Sequence, residues 1–345
     1  MKIAMYKKKY PILGWIDRLG LFFNETTVID VNFLWELKFS LANHPNAKNK
    51  AHQMAPADLS SLLMSHEEPI DFFKETLEIF SKISKLGHLT TSTGADISFD
   101  LKDDKSIKLA NPLSKINCYR DFFTHEKHVK IGFEKRGEPV PEQWYQLPVY
   151  YKGATAGFIG PEDFIPWPSF TQKLDYELEL AAIMGKKVTN LKGKELTKAI
   201  FGYTILNDVS ARDLQRDEMR VRLGPSKGKD FCSVLGPVVI TADEFNYEDP
   251  KLNMIARVNG QEWSKGVSSD SFYSWQEMLE FVSRDETIYP TDLMGSGTVG
   301  TGCGLELDKW IKPGDLIELE IEKIGILKNI VDVPKKYESP YLTKI

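Results

Sequence analysis

The run Leu174-Asp175-Tyr176-Glu177-Leu178-Glu179-Leu180-Ala181 sets two glutamates at alternate positions inside an apolar stretch. Alternation of this kind predicts a β-strand, with Glu177 and Glu179 on one face and Leu178 and Leu180 on the other. Two anions held side by side repel, so the pair requires a positive partner. A hard divalent cation with oxygen ligands meets that need, and Asn207-Asp208-Val209-Ser210-Ala211-Arg212-Asp213 offers a third carboxylate further along. The plainer alternative is a solvent-facing strand that happens to carry both glutamates.

Histidine placement narrows the metal chemistry. All six (His44, His52, His66, His88, His125 and His128) lie at or before position 128. A zinc site built on histidines is therefore not expected in the remainder, and oxygen ligands there favour Mg²⁺, Ca²⁺ or Mn²⁺. At 345 residues the chain is long enough for one large domain and a smaller one. Its net charge of −5, without a basic stripe, argues against a nucleic-acid partner. Cys118, Cys232 and Cys303 are an odd count without paired spacing and read as reduced thiols. The first residues carry no apolar leader, and no stretch is apolar enough to span a bilayer. A cytoplasmic protein without a membrane partner is expected.

Residues 2–39 hold short β-rich runs suited to a small barrel or sheet, and residues 43–57 read as a polar loop. Residues 58–85 carry helical periodicity through Leu59, Leu62, Leu63, Phe73, Leu77, Phe80 and Ile83. The alternation of Ile97, Phe99 and Leu101, then Ile107 and Leu109 after a charged turn, predicts a β-hairpin. Asn111-Pro112 breaks the pattern, so a small N-terminal domain over residues 1–110 and a larger domain over 111–345 are expected. Beyond it, short strand-like runs are broken by Gly and Pro, with helical patterns only near 195–200, 211–220 and 274–282.

Five segments in order resemble the fumarylacetoacetate hydrolase superfamily. They are Tyr176 through Lys186, the stretch ending Asn207-Asp208-Val209-Ser210-Ala211-Arg212-Asp213-Leu214-Gln215, Lys227-Gly228-Lys229-Asp230-Phe231 with Leu235-Gly236-Pro237, Gly295-Ser296-Gly297-Thr298-Val299-Gly300 with Leu305-Glu306-Leu307, and Lys312-Pro313-Gly314-Asp315. The resemblance implies an α+β, β-rich fold: a mixed β-sandwich or β-roll catalytic domain preceded by a smaller β-containing one. It implies Glu177, Glu179 and Asp208 as ligands to Mg²⁺ or a similar ion, and a homodimer.

Upstream, Arg120-Asp121-Phe122-Phe123-Thr124-His125-Glu126-Lys127-His128 resembles the fumarylacetoacetase segment that supplies a fourth metal-binding aspartate and, seven residues on, a general-base histidine. Asp121 and His128 have that spacing, and Glu306 matches the glutamate of a Leu-Glu-Leu strand that orients the base. A surface histidine is the bland reading of His128, and His125 reads as a solvent-facing bystander. Arg212, Gln215 and Lys229 match the family's positively polarised lining, although an arginine here would by default pair with Asp213, Asp217 or Glu218. Tyr151 and Thr298 resemble its substrate-contacting residues. Phe123 stands where a substrate-binding Tyr is expected, Lys152 replaces a His, and Arg136 only loosely matches a clamping arginine.

Together these features imply a metal-dependent hydrolase that cleaves a carbon–carbon bond in an acylpyruvate or β-diketone-type acid such as fumarylacetoacetate. The ligand expected is a small dicarboxylate or diketo acid. Decarboxylation, hydration or isomerisation of a 2-oxo acid is the alternative within the same superfamily. A catalytically silent binding protein is the rival from another class.

Overall fold

The computed structural model describes residues 1–102 and 104–334. The chain begins as a meander: β1 (Lys2–Tyr10), β2 (Gly14–Phe22) and β3 (Thr27–Asp30) pair antiparallel in sequence order. Asp30 ends β3 and caps α1 (Val31–Leu41), its carboxylate accepting the Phe33 N–H at 2.9 Å. Three further helices follow: α2 (Ala47–Met54), α3 (Leu59–Ser65) and α4 (Pro69–Lys85). Proline opens α4, where its missing N–H costs nothing, and Ile70, Phe73, Phe80 and Ile83 form its buried stripe.

Two expectations fail in this region. The polar loop over 43–57 contains α2, which sequence periodicity could not reveal because only Ala51 of that helix is buried. The hairpin over 97–109 does not form either. Instead β4 (Ser98–Asp100) pairs with β3, and β5 (Ile107–Leu109) pairs with β1. Alternation identifies a strand but not its partner. Asp103 lies outside the described residues.

The rest of the chain runs through β6 (Tyr119–Phe122), α5 (Glu126–Glu134), β7 (Tyr150–Gly153), β8 (Phe158–Ile159), β9 (Phe164–Trp167), β10 (Leu174–Asp175) and β11 (Leu178–Met184). Next come α6 (Lys194–Thr197), β12 (Ile200–Asn207), β13 (Ser210–Ala211), α7 (Arg212–Arg220), α8 (Lys227–Asp230) and β14 (Ser233–Thr241). The last described elements are β15 (Asn253–Val258), β16 (Gln261–Val267), α9 (Trp275–Ser283), β17 (Leu293–Gly295), α10 (Gly304–Leu307), β18 (Leu316–Ile321) and β19 (Gly325–Pro334).

The fold is mixed α+β and rich in strands. One large sheet has the order β4-β3-β2-β1-β14-β12-β11-β17-β6-β7, with β5 and β8 attached to β1 and β14. The N-terminal meander thus continues the sheet of the later strands through the β1–β14 pairing. A five-stranded sheet, β16-β15-β18-β19-β9, packs against it.

The two faces of β11 enter different cores. Ala181 and Ile183 join Leu34, Leu59 and Phe73 of the N-terminal helices, whereas Leu178, Leu180, Ala182 and Met184 join Met254, Ala256, Ile317 and Leu319 of the smaller sheet. A strand covered on both sides reads as a continuous apolar run, which the sequence of β11 is apart from Glu179. Glu179 lies in the row of Ala181 and Ile183, at the end of the helix-covered face.

Candidate active site

Neighbouring strands gather the carboxylates. Glu177 precedes β11 and Glu179 lies on it, Asp208 directly follows β12, and Asp121 stands on β6. Oxygens of these four side chains lie within 4.8 Å of one another, and all four residues are buried. Between β11 and β6 runs β17, whose Gly295 pairs opposite both Ala181 and Asp121. A Cβ at Gly295 would collide with Asp121 Oδ1 and Glu179 Oε2. The missing side chain is what keeps the space between these carboxylates open.

Two cations meet this cluster. Lys229 Nζ donates to Glu177 at 2.5 Å and also to Asp208. Arg212 forks between Asp175, through Nε at 2.8 Å, and Glu177, through Nη2 at 2.7 Å. Asp213, Asp217 and Glu218, its local alternatives, are not its partners. Burial works to raise the Glu177 carboxyl, but Arg212 and Lys229 outweigh it and hold the group well below the usual range. At Asp121 the opposing pull of Lys229 falls short, and at Glu179 the raising influences prevail. Burial, followed by the surrounding carboxylates, pushes both well above the ordinary value. Asp121 Oδ1 is buried with no hydrogen-bond donor. Buried oxygen donors, uncompensated negative charge and an orphaned oxygen are what a hard divalent cation requires, so these residues fit Mg²⁺, Mn²⁺ or Ca²⁺.

The remaining acid–base residues lie alongside. His128, in the first turn of α5, places Nδ1 3.1 Å from Glu306 Oε2, off the line of a straight hydrogen bond. The other Glu306 oxygen accepts the Thr301 N–H at 2.9 Å, and the Cys303 thiol donates to Oε2 at 3.3 Å. Burial acts to raise the Glu306 carboxyl, but His128 and these donors hold it low. Cys303 ties this pair to the acidic cage, donating to Glu306 and bridging Glu177 through the backbone. Phe123 packs edge-on against the imidazole, ring centroids 5.3 Å apart.

Glu306 sits on the short helix α10, not on a strand as expected. Three residues of Leu-Glu-Leu cannot distinguish the two, and the turn closes on Asp308 in the left-handed region at φ +53°. His125 is likewise no solvent-facing bystander: it is 1% exposed, and burial lowers its pKa to about 4. It directly precedes α5, which turns its ring into the protein, a direction the polar sequence around it does not reveal.

Tyr151 on β7 donates its hydroxyl to Asp208 at 2.6 Å, and Thr298 donates to Glu179 at 3.1 Å. Gln215, on the first turn of α7, accepts from Arg212 Nη1 at 3.0 Å. Lys152 and Arg136 are exposed, with Arg136 stacked over Phe133.

Sequence reasoning passed over three residues. Asp175 anchors Arg212 and accepts the N–H groups of Gly304, at 2.8 Å, and Leu305, at 3.0 Å, so it fixes the segment that carries Glu306. Its position two residues before Glu177 was the available signal. Cys303, bridged to Glu177 through the backbone, gave none, and Gly295 stood only as the start of a family-like segment, because both roles depend on chain crossings.

The Fumarylacetoacetate (FAA) hydrolase C-terminal domain profile matches residues 117–332. Among curated relatives, the mitochondrial oxaloacetate tautomerase FAHD2A of Homo sapiens is 32% identical over 230 residues, covering 64% of this chain and 71% of that one. Among solved structures, the fumarylacetoacetate hydrolase of Exiguobacterium antarcticum superposes with a TM-score of 0.66 at 23% identity, covering 96% of this chain and 99% of that one. The maleylpyruvate hydrolase of Sphingobium sp. SYK-6, in complex with manganese (II) ion and pyruvate, gives a TM-score of 0.64 at 19% identity, covering 97% and 100%. With the profile extending from β6 almost to the end of β19, the chain belongs to the fumarylacetoacetate (FAA) hydrolase family.

Proposed function

We propose that the chain is a divalent-metal-dependent hydrolase that cleaves a carbon–carbon bond in a small acylpyruvate or β-diketo acid of the fumarylacetoacetate type. The observation that carries this reading is His128 Nδ1, 3.1 Å from the buried Glu306 carboxylate and beside the acidic cage. Asp121, Glu177, Glu179 and Asp208 would hold the ion, which would supply Lewis acidity toward a dicarbonyl substrate. The nearby Glu306 charge favours the imidazole tautomer with its proton on Nδ1, which leaves Nε2 to take a proton from water. The resulting hydroxide adds to a carbonyl carbon, the carbon–carbon bond breaks, and the electron pair leaves with the departing fragment as an enolate. Arg212, Lys229 and Gln215 line the side where that negative charge develops. The Tyr151 and Thr298 hydroxyls, already directed at cage carboxylates, stand where a bound acid would meet them.

The human relative favours a second reading. A base placed like His128 could equally move a proton between carbon and oxygen in oxaloacetate, as the name of that tautomerase describes. Both readings are tested by incubating the Mg²⁺-loaded protein with fumarylacetoacetate and simpler acylpyruvates, with product analysis by NMR, and separately with enol-oxaloacetate, followed by ultraviolet absorbance. Cleavage to two acids is the expected result. Enol–keto interconversion or decarboxylation of oxaloacetate, with every diketo acid left intact, would replace the hydrolase reading. The homodimer belongs to the same proposal and is tested by light scattering of the purified protein.

A further inference from the structure

A second cluster of metal-ligating atoms lies next to the acidic cage. We propose that His128, Cys303 and Glu306 form a separate site for a soft or borderline cation of the Zn²⁺ type, and that its occupation switches turnover off. One ligand atom from each residue lies within 4.8 Å of the others. His128 Nδ1 is 3.1 Å and Cys303 Sγ 3.3 Å from Glu306 Oε2. Donors placed at ordinary zinc–ligand distances in a tetrahedron stand about 3.3–3.6 Å apart, close to the two separations from Glu306 Oε2. Three protein ligands would leave a fourth position for water.

Two further observations support a ligand here. The His128 side chain is nine-tenths buried, yet its Nδ1 makes no well-aligned hydrogen bond. The cluster is also held from several directions. Glu177 bridges Cys303 through the backbone, Asp175 grips the start of α10, and Thr301 fixes Glu306. A preformed donor set of this kind pays little ordering cost on binding.

Donor chemistry separates the two sites. The cage is all oxygen and suits hard ions, while the nitrogen, sulfur and oxygen of the second set suit zinc and related metals. Both can therefore be occupied at once by different metals. The regulatory consequence rests on the function proposed above. An ion on Nδ1 takes the place of the proton that the nearby Glu306 charge favours there, engages Glu306 itself, and draws electron density from Nε2. A base treated in this way no longer accepts a proton from water near neutral pH.

The test uses the full chain saturated with Mg²⁺ and titrated with Co²⁺, a spectroscopic substitute for Zn²⁺. A near-ultraviolet thiolate-to-cobalt charge-transfer band is expected, saturating at one equivalent and abolished by added Zn²⁺. An all-oxygen cage cannot produce that band. It should survive in Cys118→Ser and vanish in Cys303→Ser. Absence of the band in the natural chain, or its survival in Cys303→Ser, would overturn the site.

X-ray absorption of the Zn²⁺-loaded natural chain keeps the test independent of how any variant folds. One sulfur at about 2.3 Å is expected, and a shell without sulfur refutes the site. Zn²⁺ should inhibit the Mg²⁺ enzyme, and Cys303→Ser should require at least ten times more Zn²⁺ for the same inhibition. Equal sensitivity of the two would refute the switch. If no substrate is turned over, the function proposed above fails while cobalt and absorption spectra still decide the site.

Discussion

Two buried clusters of charge differ in how completely they are neutralised. In the N-terminal region Asp30 accepts from Tyr6 at 2.5 Å, from Arg18 Nε and Nη2 at 2.8 and 2.6 Å, and from the Phe33 N–H at 2.9 Å. One carboxylate faces one guanidinium, and its oxygens have donors. In the cage, Asp121, Glu177, Glu179 and Asp208, together with neighbouring Asp175, share two cations among the described residues, Lys229 and Arg212, and one aspartate oxygen is orphaned. The first arrangement ties β1, β2 and α1 together. The second is costly to the bare fold, and such a cost persists where function requires it.

That contrast can be broken at either end. Asp208→Ala should lower turnover by about three orders of magnitude or more, on the order of 4 kcal/mol of barrier, and abolish divalent-ion binding by calorimetry. Its circular dichroism should stay native, and retained turnover would remove the cage from the chemistry. Asp30→Ala should act oppositely, costing about 3–5 kcal/mol in denaturant unfolding by stranding Arg18, with unchanged activity per folded molecule. A neutral result there would show that the balanced cluster contributes nothing to the fold.

A divalent ion should sharpen the difference further. At a hundred times its dissociation constant it should stabilise the chain by about 2.7 kcal/mol. The gain should grow with pH, for a reason of sign. Unfolded carboxyls lose their protons near pH 4, whereas folded Asp121 and Glu179 keep theirs to well above that. Through that window the native state binds more protons, so the metal-free protein loses stability as pH rises, and the ion removes the penalty. Thermal melts with and without Mg²⁺ at pH 5 and pH 8 measure it, and a gain that shrinks with pH would contradict it. The smallest effect expected is that of Glu306→Gln, which exchanges the charged neighbour of His128 for a neutral one. It should cost about 1.5–3 kcal/mol, roughly ten- to a hundredfold in kcat, with little change in ion affinity.

Much of the cage was legible because its members sit in short local motifs. Glu177 and Glu179 declare themselves by alternation, and Arg212 and Gln215 lie one helical turn apart wherever α7 begins. Helices α1, α2 and α5 were not legible: α2 buries a single alanine, and α5 is a short polar helix whose buried face includes His128. Nor was the partner of any strand. β1 bonds to β14 across more than two hundred residues, and β4 and β5 bond to strands other than each other. Local patterns report what a segment can become, while cross-chain neighbours such as Cys303 beside Glu177 emerge only when the sheet assembles.

Gly295 occupies the strand that runs between the aspartate of β6 and the glutamate of β11. Gly295→Ala would plug the aperture with one methyl group while removing no ionisable group. Loss of the cation could thus be separated from loss of charge, which no carboxylate substitution achieves. By the same logic, a lineage could retire its metal chemistry here through one small steric change and keep the scaffold for other uses.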